Sequence, residues 1–515
     1  MTKGKLVAAC FVWVILVAIG AAAWKLIFKP ARQQAQEAVQ AEELAAREAA
    51  RREQLELAGS ESRYKHTVNL HLDSFSGYAV LRSEPFGEEL RNAGIRLNLV
   101  DDGADYTARL AALKSGEAQM AAFTIDALIK TSSKMNDLPA TIVALIDETT
   151  GADAIVAYTE KIPNVDALNA AEMKFVLTPD SPSETLARVV MSRFDLTKLG
   201  TDPFVSVNDA EEVFKRYKNS KPTDPVAYVM WEPYVSQMLT NPATHVVVDS
   251  SRFPSTIVDV IVAGRDFLLK QPDVVREVVK AYMTSVYQYR ERERMLSLVI
   301  ADAQATGSPL TPEQAAKLVD GIWWKNTQEN LAHMGLLPDK PLPHVEDMVA
   351  NLIGILKSTG GIDRDPTDGK ANYWFYSKVF EDLRDFHPGS KSETVRDIRL
   401  PALSESQWSE LTSIGTAKVP PLVFARGTDR LTSRAQVVLD ELAANLNSTR
   451  FYVSIVGNAS KQGNLEQNQR LAESRAEVAR TYLIDKGVDQ NRIRAVGSEP
   501  SGTTSVTFKL GQLPY

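Results

Sequence analysis

Val226-Ala227-Tyr228-Val229-Met230-Trp231-Glu232-Pro233-Tyr234-Val235-Ser236-Gln237-Met238-Leu239 follows Pro225 as a short apolar run, then an acid, a proline and a helical pattern. Proline is tolerated in the first turn of a helix, where its missing N–H costs no hydrogen bond. The stretch predicts a buried strand ending near Met230 and a helix starting at Pro233. In an open α/β sheet, ligands bind beyond the carboxyl ends of the strands. Trp231 and Glu232 would stand there, one offering a stacking face and the other a charge. A buried Trp and a helix-capping Glu form the alternative that the segment leaves open.

Outward from this stretch, strands and helices alternate. Val68 to Leu72 alternates like a strand, and Ser74-Phe75-Ser76-Gly77-Tyr78 leads into a segment ending near Ala93-Gly94. Ile95 to Val100 alternates again. Tyr106 to Lys114 reads as a helix closed by Ser115-Gly116, and Met120 to Phe123 as a short buried strand. Such repetition argues for a parallel sheet with crossover helices. Lys174 to Thr178 is a further strand, after which Pro179-Asp180-Ser181-Pro182-Ser183-Glu184-Thr185 opens a helix. Ser74, Ser76, Gly77 and Tyr78, Thr124, and Ser181, Ser183 and Thr185 thus bring hydroxyls and free backbone N–H groups to helix N-termini. Those positions favour a polar or anionic group. Plain N-capping by Ser and Asp is the other reading.

Three more helices are expected. One runs from Pro272 past Tyr289, with Arg290 to Arg294 as its solvated continuation. Leu310 to Leu336 forms a second, with Trp323 and Trp324 in the core, and His344 to Lys357 a third.

The run ending in Trp231-Glu232-Pro233 resembles the second lobe of nitrate/sulfonate/taurine-type substrate-binding proteins of ABC transporters. Ser74 to Tyr78, Gly151 to Val156 and Ile257 to Ala263 fit that family in the expected order. The resemblance covers Tyr64 to the 330s. It implies a two-lobed α/β periplasmic-binding-protein type II fold, with Ile155 to Tyr158 crossing to the second lobe and Ile257 to Ala263 returning. Two such passages make a hinge that can close around a ligand. Lobe 1 would comprise about 63–156 and 255–387, and lobe 2 about 157–254. The ligand would be a small polar or anionic solute, bound by Ser74, Ser76, Gly77, Tyr78, Thr124, Ser181, Ser183, Thr185, Trp231 and Glu232. An ABC permease is the implied partner.

Residues 388–418 have dispersed Pro and Ser and read as a linker. After them, Pro421 to Phe424 reads as a strand, Leu431 to Leu446 as a helix and Phe451 to Gly457 as a strand. Asn468-Gln469-Arg470-Leu471-Ala472-Glu473-Ser474-Arg475-Ala476 begins a helix through Leu483. Over 419–515 this is similar to the α+β OmpA-like peptidoglycan-binding domain. The resemblance makes Asn468 and Arg475 peptidoglycan-binding residues. The Arg would clamp a carboxylate of diaminopimelate and an Asp in the preceding loop its amine. Here Ser460 stands at the Asp position, and the family's terminal arginines are missing near Thr503-Thr504-Ser505. Weak, Arg475-dependent wall binding is therefore expected.

At the other end, Lys3 and Lys5 precede an apolar run from Leu6 to Trp24, extended by Leu26-Ile27-Phe28. About 20 apolar residues span a bilayer as helix, so residues 1–29 are expected to be a transmembrane signal anchor; a signal peptide cleaved at the small residues Ala21-Ala22-Ala23 is the rival reading. Residues 30–62, rich in Ala, Glu, Gln and Arg, would form a helical stalk. The family resemblance implies that the rest lies outside the cytoplasm, so a single-pass bacterial inner-membrane protein with its bulk in the periplasm is expected.

The 515 residues suffice for several domains, and a net charge of −7 argues against nucleic-acid binding. One cysteine, Cys10, allows no intramolecular disulfide. No phosphate loop, zinc-type His or Cys pair, or nucleophile elbow is present, so neither an enzyme, a metal site nor a cofactor is expected. A non-transport envelope scaffold or sensor on the same fold is the alternative function.

Overall fold

Strands β1 (His66–Leu72), β2 (Ile95–Asp101), β3 (Met120–Thr124) and β4 (Ala140–Thr149) build most of a first sheet. They belong to a computed structural model that describes residues 64–513 apart from 423, 426 and 498–504. The expected anchor (1–29) and stalk (30–62) lie outside the described residues. Among the described residues no helix is long and apolar enough to cross a membrane.

The chain then passes to a second sheet of β5 (Asp153–Tyr158), β6 (Lys174–Leu177), β7 (Phe204–Ser206), β8 (Val226–Trp231) and β9 (Thr244–Asp249). It returns as β10 (Val258–Gly264), and β11 (Ile322–Trp324) completes the first sheet. The strand orders are β11-β4-β10-β3-β1-β2 and β7-β6-β8-β5-β9. β1 pairs in parallel with β2 and β3, while β10 runs antiparallel between β3 and β4. β10 is buried at every residue, and its apolar run, interrupted only by Asp259, suits a strand covered on both faces.

This is a two-lobed α/β architecture, with two passages between lobes. The first passage lies at residues 150–152, because β5 from Asp153 onward belongs to the second sheet. That corrects the expected crossing at Ile155 to Tyr158 and the lobe boundary at 156. The two passages are tied together. Gly151 N donates to Ser250 Oγ (2.9 Å), and Ser255 N donates to Glu148 Oε1 (2.8 Å). Glu148 also holds the buried Lys325 ammonium at 2.6 Å.

Two helical expectations change. The window 310–336 is not one helix: Pro312–Asp320 and Thr327–His333 flank β11. A Cβ at Gly321 would lie 2.9 Å from Ala152 N, so glycine lets this segment run against the first passage. Arg290 to Arg294 is not a helical continuation either, since one helix ends at Gln288 and the next begins at Arg292.

The third sheet is β12 (Thr412–Thr416), β13 (Tyr452–Gly457), β14 (Ile493–Gly497) and β15 (Val506–Gln512), in the order β12-β15-β13-β14. Helices Ser433–Asn447 and Leu465–Asp485 cover it. β12 comes from within the expected linker 388–418, which corrects that boundary. Phe424, expected in a strand, makes only an isolated bridge with Leu431. All three sheets lie in one compact unit, His66–Tyr515.

Candidate functional site

β3 stops at Thr124 and the helix Ile125–Met135 begins at once. β6 stops at Leu177 and the helix Pro182–Arg193 follows. These two helix starts face each other across the lobes. Thr185 Oγ1 donates to Asp126 Oδ2 at 2.5 Å. Lys130 Nζ lies 3.1 Å from the same oxygen, 3.2 Å from Thr185 Oγ1 and 3.7 Å from Glu184 Oε2. Lys134 and Asp180 add an outer ion pair at 2.7 Å. All of Asp126, Lys130 and Thr185 are buried.

Near this junction lie buried polar atoms without a protein partner: Thr124 Oγ1, Asp126 Oδ1 and Ser183 Oγ. Buried polar groups are rarely left so. Ser181 is different, because its hydroxyl donates to Thr178 O at 2.6 Å and shapes the turn.

The Ser74 loop covers the hinge strands. Ser74 is exposed and Ser76 half-buried. A Cβ at Gly77 would stand 2.6 Å from Asp147 Oδ2, so only glycine allows the loop to lie this close. Trp324 Nε1 donates to Gly77 O at 2.9 Å, and the buried Tyr78 hydroxyl donates to Asp259 Oδ1. Asp147 and Asp259 are opposite one another in the β4–β10 register, and Thr124 is opposite Asp259 on the other side. Neither carboxylate oxygen of Asp147 has a hydrogen-bond donor among the described residues. Burial pushes Asp147 up to about 7, and burial and then the charge of Asp147 hold Asp259 well above the usual range. Burial also pushes Asp153, opposite Trp231 in the β5–β8 register, up to about 7.

Trp231 ends β8 half-buried. Glu232 does not extend toward the other candidates. Its carboxylate accepts from Ser236 N (3.1 Å) and Ser236 Oγ (2.8 Å), which caps the short helix Tyr234–Met238. The candidates therefore make three sets of direct contacts: Thr185 with Asp126 and Lys130, Gly77 and Tyr78 with the acid pair, and Trp231 and Glu232 at the first passage. The sets adjoin, since on top of burial the charge of Asp126 raises Asp153 and that of Asp153 raises Asp147. Asp126, Lys130, Asp147, Asp153 and Asp259 were not singled out by the sequence reading. For the strand acids Asp147, Asp153 and Asp259 the signal is an acid beside or inside an apolar run, as in Val258-Asp259-Val260, which must find a partner when the strand is buried.

In the third domain, Arg475 is 9% exposed. Its Nε donates to Thr428 O at 2.9 Å, its guanidinium lies 4.9 Å from the Phe424 ring centre, and burial lowers its pKa. Asn468 Nδ2 donates to Ser460 O (3.1 Å) and Gln462 O (2.6 Å), so it holds the loop that carries Ser460. Residues 423–506 match the OmpA family. In this OmpA-family domain an acid does stand near Arg475, but from a different loop: Asp429, whose Oδ2 accepts from Ser474 Oγ at 2.5 Å.

The OmpA-family domain packs on lobe 2. The Phe451 ring meets Phe194 at 5.8 Å and Phe253, in the second passage, at 5.6 Å. Thr416 N donates to Asp166 Oδ1 at 2.7 Å, and Arg193 reaches Asn445 and also Asn351 of lobe 1.

Solved structures resemble the two lobes. The ligand binding component of an ABC-type import system from Staphylococcus aureus, with zinc bound, is 14% identical, covering 62% of this chain and 99% of that one, with a TM-score of 0.45. The periplasmic aliphatic sulphonate binding protein from Escherichia coli is 14% identical, covering 66% and 98%, with a TM-score of 0.45. A putative periplasmic sulfonate-binding protein from Methylobacillus flagellatus is 13% identical, covering 64% and 99%, with a TM-score of 0.47. At this level the likenesses assign no ligand to this chain. A comparison with curated proteins gave no match.

Proposed function

We propose that this chain is an envelope solute receptor of an ABC-type uptake system, anchored in the inner membrane by residues 1–29. Its lobes and OmpA-family domain then stand in the periplasm, the latter toward the wall. One observation carries the receptor reading. Two sheets joined by two passages bring helix starts together, and buried Thr124, Asp126 and Ser183 atoms there lack protein partners. A small polar solute would satisfy them. An anion would meet the backbone N–H groups at Ile125 and Ser183, but also Asp126 and Glu184, so a polar uncharged or zwitterionic solute fits better.

The test is to purify the full chain in detergent, denature it, and identify released small molecules by mass spectrometry. A solute recovered near one per chain supports the receptor. Loss of that solute in Thr124→Val and Ser183→Ala proteins would place it in the cleft. If nothing is recovered and no solute of a metabolite panel shifts the melting curve, the receptor reading fails. A reporter fused after Ser60 should be active only outside the cytoplasm; a mature chain starting near Trp24 would rule out the anchor.

A second reading is a non-transport scaffold or sensor. The packing of Phe451 on Phe194 and on Phe253 of the hinge favours it, because lobe movement would be felt by the OmpA-family domain.

A further inference from the structure

A cavity of about 640 Å³ opens on the flank of lobe 1, away from the facing helix starts. One wall is the break between the helices that end at Gln288 and begin at Arg292, and another is β11. Its third wall is the segment 389–396, which leads out of lobe 1 toward the OmpA-family domain. That segment is pinned at several points. The Lys391 backbone N–H donates to the Tyr287 hydroxyl (3.0 Å), Asn326 Nδ2 to Thr394 O (2.9 Å) and Arg396 N to Glu329 Oε1 (3.1 Å). A Cβ at Gly389 would fall 2.1 Å from the Tyr287 ring, so the segment lies directly on that ring.

The lining is amphipathic. Val286, Met295, Val319 and Ile322 supply apolar surface, and Trp323 and Trp324 supply aromatic surface. The charges are unequal in what they already touch. Asp320 is engaged bidentately by Arg292 (2.7 and 2.8 Å). Glu329 accepts from Trp323 Nε1, Asn326 N and Arg396 N. Glu291 lies 3.6 Å from Arg290. By contrast, among the described residues the Arg396 guanidinium has no ion pair; its centre lies 5.1 Å from the Trp323 ring centre, and Arg450 is a further cation nearby. Lys391 is exposed on the same wall. A fourth acid, Glu393, lines the cavity half-buried; burial raises its pKa, opposed by hydrogen bonds from Thr327. The other three acids are occupied, while Lys391 and Arg396 keep donors for a ligand, and Arg suits an oxyanion held against an aromatic ring.

We propose that this cavity is a second binding site, separate from the interlobe cleft, for an amphipathic anion. The apolar body would lie on Val286, Met295 and Trp324, and the carboxylate or phosphate head would meet Arg396 and Lys391. Because the head would touch the segment 389–396, occupancy would stiffen the connection to the OmpA-family domain.

The test is calorimetric titration of the full chain in nanodiscs, with empty nanodiscs as blank. The probes are 4-phenylbutanoate and 4-phenylbutylammonium, which share a body and differ in charge. Saturable binding of the anion, at least tenfold tighter than the cation, is expected. Lys391→Gln with Arg396→Gln should weaken the anion at least tenfold, while Trp231→Ala should leave it unchanged. A variant with Lys391→Glu and Arg396→Glu should reverse the preference, which separates a charge effect from misfolding. Equal binding of both probes, binding insensitive to Lys391 and Arg396, loss in Trp231→Ala, or no binding of the anion would each overturn the proposal.

Discussion

Thr185 of lobe 2 donates its hydroxyl to Asp126 of lobe 1 at 2.5 Å, and Lys130 lies within 3.2 Å of both. The cleft is closed here by the protein's own side chains. Removing one partner of a buried ion pair leaves an uncompensated charge and typically costs about 3–5 kcal/mol. Lys130→Met should therefore lower stability in urea by that order. Adding Asp126→Asn should recover much of it, because no buried charge then remains unpaired. Equal stability of Lys130→Met and wild type would show that Asp126 is neutral or solvated there.

The raised acids give a pH dependence opposite to the usual one for carboxylates. Asp147 and Asp153 are pushed up to about 7 by burial, whereas an unfolded Asp titrates near 3.9. Between those values the folded chain binds more protons than the unfolded chain. Stability from these groups thus falls as pH rises from about 4 to about 7, and is flat on either side. The melting temperature should rise by a few degrees between pH 8 and pH 5. Asp153→Asn should flatten part of that rise. An Asp153→Asn protein with an unchanged pH profile would mean that Asp153 is ionised at no cost.

The OmpA-family domain should come loose when Phe451 is truncated. Phe→Ala in a packed site typically costs about 3–5 kcal/mol. Phe451 is fully buried and its ring meets those of Phe194 and Phe253. Limited proteolysis of Phe451→Ala should cut between residues 398 and 412 well before wild type does. If both are cut alike, the domain is held instead by Asp166, Arg193 and backbone hydrogen bonds such as Lys418 N to Arg193 O and Arg450 N to Arg252 O, both 2.8 Å.

The strand-to-helix turn at Trp231 was legible in the sequence because an apolar run, a proline and a helical pattern each change at one place. The lobes followed from the same alternation. β11 was hidden, because three residues, Ile322-Trp323-Trp324, fit a helical window as well as a strand. Gly321 was the available clue. The hydroxyls at Ser74, Ser181 and Thr185 were found from local helix-start chemistry. Which of them meets a residue of the other lobe depends on tertiary placement, and only Thr185 does so by a side-chain hydrogen bond to Asp126. Asp147 and Asp259 lie 112 residues apart and become a pair only through the β4–β10 register.

Wall binding by the OmpA-family domain should be weak and depend on Arg475. The family resemblance asks for a cation and an anion, and Ser460 replaces the expected anion. A lost charge-assisted hydrogen bond is worth about 1.5–3 kcal/mol, roughly ten- to a hundredfold in affinity. Glu466 does not fill the gap, since it pairs with Arg470 on the exposed helix face (2.5 Å). Asp429 is the acid near Arg475, but its carboxylate already accepts from Ser474. In a pull-down with purified peptidoglycan, Arg475→Ala should abolish retention and Ser460→Asp should strengthen it. Asp429→Asn should leave retention unchanged if Ser460 marks the vacant role. If Asp429→Asn weakens retention as much as Arg475→Ala does, Asp429 is the working anion, and the clamp has moved to the loop before the helix Ser433–Asn447.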